Sequence, residues 1–177
     1  MAHVPPLHIS IHRKDVSSLD LAKLTRLRQL IDTYIVTQNP VGEHAAAGAP
    51  GSPLMIHHMG FLAWHSVFLA KLENWLVLNG GEEFVPLPYF DPSKPIPAAL
   101  NKSNTNPNYP LPDTLRPGQI AGFPDYMKLN DVAVAYHDQA HGKFGGQMPF
   151  AQTSPSDPIF WPFHALLVAV YEHWRSH

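Results

Sequence analysis

The sequence predicts an all-α fold, a four-helix bundle with long Pro-rich loops. Four stretches repeat apolar residues at intervals of three and four, which is the period of a helix with one buried face. No segment of useful length alternates apolar and polar residues as a half-buried strand does. The 19 prolines and 11 glycines lie largely between the four stretches. We expect residues 1–177 to form one domain, because the chain is long enough for one core and too short for two full-size domains.

The first helix is predicted to follow Ser17 or Ser18, either of which could cap its N-terminus, with Asp20 in the first turn. Its apolar residues are Leu19, Leu24, Leu27, Ile31 and Tyr34. The pair Asn39-Pro40 predicts its end, since the residue before a proline is disfavoured in a helix. Residues 45–53 are small or are Gly and Pro, which predicts a loop.

The second helix is predicted from His58 to Leu78, ending at Gly80-Gly81. One broad face carries Phe61, Trp64, His65, Phe68, Leu72 and Trp75. Residues 84–123 then contain nine prolines and show no sustained periodicity. Their aromatic content favours a packed loop, which we expect to shape the mouth of any substrate site.

The third and fourth helices follow this loop. The third is predicted to begin at Pro124, a favourable first-turn residue, and to run to His141 with Gly142 behind it. The fourth is predicted from residue 156 to about residue 174, and Pro162 lies early enough to be tolerated.

Composition excludes several classes of protein. Charged residues make up 15% of the chain and the net charge is −2, whereas a nucleic-acid-binding protein usually has a basic excess. No apolar run approaches the ~18 residues of a membrane-spanning helix. Residues 1–12 lack the apolar core of a signal peptide, which predicts a cytoplasmic protein and leaves export with a partner open. The chain has 12 histidines and no cysteine, so any metal site must use imidazole or carboxylate ligands.

The histidine spacing indicates such a site. His137 and His141 are four residues apart, so on a helix they lie on one face and could bind one metal ion. Taken alone, the pair is a weak signal, and two half-exposed histidines without a metal would explain it better. A zinc protease would need a Glu after the first histidine, and Asp138 stands there. The five glutamates do not form the Glu-x-x-His motifs of a di-iron bundle.

Two more histidines lie on apolar helix faces, namely His65 in the second helix and His164 in the fourth. With His44 and the pair His57-His58 upstream of His65, they suggest two sites of three imidazoles that face each other. Imidazole suits copper, zinc, iron and nickel, and the lack of a bridging carboxylate favours copper.

Four segments resemble the tyrosinase and catechol oxidase family of type 3 copper proteins. Residues 154–165 (Ser-Pro-Ser-Asp-Pro-Ile-Phe-Trp-Pro-Phe-His-Ala) resemble the second copper motif, and residues 137–148 resemble the segment before it. Residues 61–65 resemble the end of the first copper motif, and Pro-Tyr-Phe-Asp at 88–91 resembles the Pro-Tyr-Trp-Asp between the two motifs. The order is kept over nearly the whole chain, and the lack of cysteine resembles bacterial members.

The resemblance implies a binuclear copper centre with three histidines for each copper ion. His137, His141 and His164 would hold the second copper. His65, His57 and His44 would hold the first, with His58 as the alternative to His57 and a solvated loop position as the alternative for His44.

The sequence departs from the family pattern in several places. Phe163, Ser66 and Val168 stand where the family usually has His, Arg and Asp. Asp138 stands where monophenol-hydroxylating relatives often have Asn, and the matching upstream stretch, residues 128–131, has no Glu. This places monophenol hydroxylation in doubt, although Asp138 could itself act as the catalytic base.

The implied function is oxidation of phenols by O2, converting o-diphenols to o-quinones, with o-hydroxylation of monophenols (monooxygenase activity) as an extension. An apolar shell of Phe61, Trp64, Phe160, Trp161 and Phe163 is expected to exclude water from the centre. The alternatives are hemocyanin-like O2 binding without catalysis, o-aminophenol oxidation, and a structural zinc or copper site without redox activity. The expected partners are O2 and a small phenol, with a copper-delivery protein and the oligomeric state left open.

Overall fold

A computed structural model describes residues 13–52 and 58–177. Its helices are α1 (Leu21–Gln38), α2 (Pro40–Ala47), α3 (Phe61–Leu78), α4 (Tyr126–Phe144) and α5 (Phe160–Arg175). In the described ranges the only strand-like pairing is an isolated parallel bridge between Asp15 and Tyr89, so the all-α prediction is confirmed. Among these same residues, no helix combines the length and apolar character that crossing a bilayer would require.

Helix α1 presents the predicted apolar face, with Leu24, Leu27, Ile31 and Tyr34 buried. Its N-cap differs from the prediction, because Asp20 itself accepts a hydrogen bond from the amide of Lys23. Asp15, upstream, caps a short 3-10 turn that contains both predicted serines. An Asp side chain two residues after Ser18 thus takes the place of the predicted serine cap.

The prediction of a loop over residues 45–53 is wrong at its start, because α2 begins directly after Asn39 and extends to Ala47. Asn39 adopts the left-handed conformation (φ 50°, ψ 46°), so it ends α1 and reverses the chain direction. Its side chain then accepts a hydrogen bond from the amide of Gly42, 3.2 Å away, and caps α2. Pro40 occupies the first turn of α2, where its missing N–H group costs nothing. His44 therefore lies on a helix and is 1% exposed, rather than in a solvated loop.

The other predicted helices exist with shifted ends. Helix α3 begins at Phe61, three residues after the predicted start. Helix α4 is capped by Asp125, passes through Gly142 and ends at Gly145 (φ 67°). Helix α5 begins at Phe160 after a 3-10 turn over Ser154–Ser156.

The long loop over residues 84–123 is packed, as predicted. It contains three 3-10 turns. Its buried residues are spread along its length, namely Phe84, Leu87, Tyr89, Phe90, Ile96, Leu100, Leu111, Leu115 and Ile120. The core itself is built where α3 packs against α5, whose residues from Phe160 to Val170 are all buried.

A buried arginine ties the N-terminal segment to this core. Arg13 is 6% exposed, and its guanidinium donates to Glu73 of α3 at 2.5 Å and to Glu172 of α5 at 2.7 and 2.9 Å. Glu73 also accepts from the amide of Leu87, at 2.8 Å. One ion-pair network therefore joins the segment before α1, both central helices and the long loop.

Candidate metal centre

Four histidines from three helices meet in the core. His65 comes from α3, His137 and His141 from α4, and His164 from α5. None is more than 8% exposed. The rings of His65 and His164 stack with centroids 4.7 Å apart, and those of His137 and His141 are 4.2 Å apart. The predicted convergence of α3, α4 and α5 on one site is therefore present.

The two central helices present their histidines in the same way. Each begins with a phenylalanine and carries the histidine four residues later, as Phe61 and His65 in α3 and Phe160 and His164 in α5. In each, the histidine Nδ1 lies within hydrogen-bond distance of that phenylalanine's carbonyl oxygen, at 2.9 Å and 2.8 Å. Because the carbonyl can only accept, Nδ1 carries the proton in both rings.

In both histidines of α4, Nδ1 likewise lies within hydrogen-bond distance of an oxygen that accepts, although the acceptors differ. His137 Nδ1 lies 2.8 Å from a carboxylate oxygen of Asp138, and His141 Nδ1 lies 2.6 Å from the carbonyl oxygen of Met148. The protein thus fixes one tautomer, with the proton on Nδ1 and the lone pair on Nε2. Partners of this kind orient metal-binding imidazoles and raise their basicity.

One ring nitrogen from each of His137, His141 and His164 lies within 4.8 Å of the others. The Nε2 atoms of His137 and His164 are 3.1 Å apart. With both Nδ1 atoms protonated, these two lone pairs face each other, and only a cation or a shared proton between them removes their repulsion. The geometry and the donor set therefore fit a transition metal held by three imidazoles.

Burial keeps His164 in the neutral form that binds a metal ion. The pKa of His164 lies well below its usual 6.5, chiefly because burial disfavours the charged ring and secondly because His65, His141 and His44 lie nearby. A neutral imidazole is the form that binds a metal ion, so little competition from protons is expected near neutral pH.

Helix α2 brings a fifth histidine to the other side of His65. The ring of His44 lies 5.6 Å from that of His65 and 5.4 Å from that of Phe160. The structure thus brings together two of the three ligands predicted for the first copper. The third, His57, lies outside the described residues, and its alternative, His58, is exposed.

The apolar shell matches the prediction except at one position. Phe61, Phe160, Trp161 and Phe163 are buried, whereas Trp64 is only partly buried. Phe163, at the position where the family usually has a histidine, lies parallel to the ring of His137 (6.1 Å, 10°). Phe163 thus restrains the ring of His137 by packing against it and not through a hydrogen bond.

A cavity of about 190 Å³ reaches the cluster from one side. It is lined by His137, Asp138, His141, Met148, Pro149, Ala151 and Ser154. The described lining thus comes from α4 and the segment after it. The loop over residues 84–123, which was expected to shape the mouth of the substrate site, does not contribute to it. Asp138, the predicted base, lies in this lining with its side chain 59% exposed.

The long loop instead holds the end of α4 that carries His141. The hydroxyls of Ser103 and Thr105 both donate to the carbonyl oxygen of Phe144, the former at 2.8 Å. Tyr109 stacks on Tyr136 with centroids 5.4 Å apart, and its carbonyl oxygen accepts from the Tyr136 hydroxyl at 3.1 Å. These contacts satisfy a C-terminal carbonyl of α4 and limit its movement.

Sequence reasoning found the histidines but missed the groups that orient them. The carbonyl oxygens of Phe61 and Phe160 were foreseeable, because a histidine one turn into a helix can reach the carbonyl four residues back. Met148 carried no signal of its own, since its carbonyl oxygen is brought to His141 by the turn at Gly145 and Gly146.

Comparison with known proteins agrees with this geometry. The family profile described as the common central domain of tyrosinase matches residues 117–177, which contain α4, α5 and the cluster of His137, His141 and His164. Hemocyanin 2 and hemocyanin 1 of Megathura crenulata are each 23% identical over 211 aligned positions, covering 93% of this chain. The chain is therefore similar to the tyrosinase family of type 3 copper proteins.

The aligned region is only 6% of the length of either hemocyanin. No solved structure shows a significant match to the chain. The tyrosinase profile matches only the C-terminal third of the chain, which holds the three-histidine cluster. The hemocyanin alignments extend over the part that holds His44 and His65.

Proposed function

We propose that this protein is a member of the tyrosinase family and uses two copper ions to oxidise o-diphenols to o-quinones with O2. Bound copper would supply O2 binding and electron transfer. Each o-diphenol releases two electrons and two protons, so two of them reduce one O2 to two water molecules. His137, His141 and His164 would hold one copper ion, and His44, His65 and His57 the other.

The cavity beside His137 and His141 is the observation that favours an oxidase. A protein that only carries O2 needs no opening for an organic molecule at its metal ligands. Drug-sized ligands occupy cavities of about 300–1,000 Å³, so the 190 Å³ here suits a single aromatic ring. Its lining is mainly apolar, with Met148, Pro149 and Ala151 available to contact the faces of a ring.

The chain's own residues account for the remaining requirements. The fixed Nδ1 contacts hold the imidazoles in one orientation, and Phe61, Phe160 and Phe163 exclude water from the interior of the site. Asp138 stands at the cavity and accepts from His137 with one carboxylate oxygen. We assign it a second role, as the base that takes a proton from an arriving phenol.

The competing function is reversible O2 binding without catalysis. The two hemocyanin relatives favour this alternative, because both align with nearly the whole chain. The two functions require the same metal centre and differ in whether a phenol reaches it.

Oxygen uptake separates the two functions. The protein is loaded with copper, its copper content is measured, and O2 consumption is followed with catechol, tyrosine and an o-aminophenol. The proposal predicts rapid O2 consumption and quinone colour with catechol. Binding of two copper ions without O2 consumption on any of the three substrates would contradict it and favour the carrier.

A ligand variant serves as the control. His141→Ala removes an imidazole of the three-histidine cluster and should bind one copper ion fewer while keeping the helical circular dichroism spectrum. His58→Ala, which removes an exposed histidine, should keep both the copper content and the activity.

A further inference from the structure

A second pair of histidines lies at the far end of α5, separate from the buried cluster. His173 and His177 are four residues apart, and their ring centroids are 4.7 Å apart. His173 is nine residues beyond His164, which corresponds to about 14 Å along the helix axis. His173 is partly exposed and His177 is exposed, so both can be reached from solvent.

Helix α5 ends at Arg175, and a tighter turn with i to i−3 hydrogen bonds continues the chain to His177. The amide of Ser176 donates to the carbonyl oxygen of His173, and that of His177 donates to Trp174. The Trp174 indole in turn donates to the carbonyl oxygen of Phe123, at 3.2 Å, and anchors this last turn to the loop before α4. This turn places the two imidazoles side by side, with their ring centroids 4.7 Å apart.

One tautomer is already set in this pair. His177 Nδ1 lies 2.9 Å from the carbonyl oxygen of His173, so this nitrogen carries the proton and Nε2 keeps its lone pair. The nearest cation in sequence, Arg175, has its guanidinium over the ring of Tyr171, at 5.6 Å. A cavity of about 430 Å³ beside His177 leaves room for water ligands of a bound ion, and it is lined by Ala121, Phe123, Trp174, Arg175 and His177.

We propose that His173 and His177 form a two-imidazole surface site for a divalent transition metal ion. Imidazole suits copper, nickel and zinc, and for a given ligand set the affinity rises from nickel to Cu²⁺ and falls again at zinc. The pKa of His173 is lowered, first by partial burial and second by the neighbouring His177, which reduces competition from protons. The site does not depend on the function proposed for the buried cluster.

The test uses the copper-loaded chain after a brief chelator wash that removes copper from exposed sites, so that the buried cluster does not compete, and Ni²⁺ as the probe. Calorimetry should show one equivalent of Ni²⁺ bound, and the amide NMR signals of residues 172–177 should broaden first. His173→Gln and His177→Gln should each weaken Ni²⁺ binding by about 100-fold, because the remaining imidazole loses the chelate partner.

A spacing variant provides the matched control. Combining His177→Gln with Arg175→His keeps the number of histidines but places them two residues apart, where helical side chains do not face each other. This variant should bind as weakly as His177→Gln alone. Unchanged binding in any of the three variants, or broadening only at other histidines, would overturn the proposal.

Discussion

The first turn of α3 is held by a side chain that comes from α4. Asn130 is 1% exposed, and its carbonyl oxygen accepts from the amide of Leu62 at 3.1 Å and from the hydroxyl of Tyr126 at 3.0 Å. Its NH2 group donates to the carbonyl oxygen of His58 at 2.5 Å. Gly60, the N-cap residue of α3, has no side chain that could do this, so Asn130 serves as the cap from 68 residues away.

Replacing Asn130 with Leu should be costly, because the apolar side chain fills similar space but can make none of these bonds. A stranded buried amide at Leu62 costs about 1–3 kcal/mol, and each of the other two bonds contributes about 0.5–1.5 kcal/mol. The expected loss is therefore about 2–6 kcal/mol of the roughly 5–15 kcal/mol that stabilises a typical domain. Because His65 lies one turn into α3, the variant should also lose copper from the first site before the second.

Two further variants make the test specific. Asn130→Asp keeps the acceptor for Leu62 but loses the donor to His58, so its deficit should shrink as acid protonates the new carboxyl group. Asn79→Leu removes an exposed asparagine at the other end of α3, whose NH2 group donates to Trp75, and should cost less than about 1 kcal/mol.

Urea unfolding of the metal-free proteins measures the losses, and copper content after loading measures the effect on the site. The reasoning is refuted if Asn130→Leu unfolds within about 0.5 kcal/mol of the native chain, a difference typical of neutral surface changes. It is also refuted if the Asn79 variant is equally destabilised.

Three other predictions concern the candidate site. Asp138→Asn keeps an acceptor for His137 but removes the base, so catechol turnover should fall by about 10²–10⁴-fold with copper content unchanged. Unchanged turnover in steady-state kinetics would exclude the role of Asp138 as the base. His57→Ala should lose copper from the first site and His58→Ala should not, as metal analysis can decide, and the reverse result would make His58 the ligand. The lowered pKa of His164 means that the ring stays neutral in the folded apoprotein, while the unfolded chain gains a proton below about pH 6.5. Its contribution to the free energy of unfolding is therefore present above that pH and is lost on acidification, by about 1.4 kcal/mol per pH unit. In urea unfolding between about pH 8 and pH 5, the free energy of unfolding of His164→Phe should fall less steeply with acid than that of the native chain. An equally steep fall would show that other groups govern the acid response.

The sequence by itself determined the features that depend on local periodicity. The spacing of apolar residues predicts each long helix, and the four-residue interval between His137 and His141 requires only that α4 be helical. The prediction that residues 84–123 are packed also holds, because aromatic side chains in a Pro-rich loop must be buried somewhere. The resemblance to the tyrosinase family depended on four short motifs in order, which are also features of the local sequence.

Only the tertiary structure decided how the site is assembled and held. Asn39 both ends α1 and begins α2, and this second role, which buries His44, depends on a backbone conformation that the Asn-Pro pair permits without requiring. Asn130 and the carbonyl oxygen of Met148 act on groups that folding brings to them. The position of a histidine on its helix follows from helix geometry. The acceptor that sets its tautomer can lie in another segment, which only tertiary packing brings to it. Periodicity in one segment therefore predicts the ligands, and long-range contacts determine their orientation.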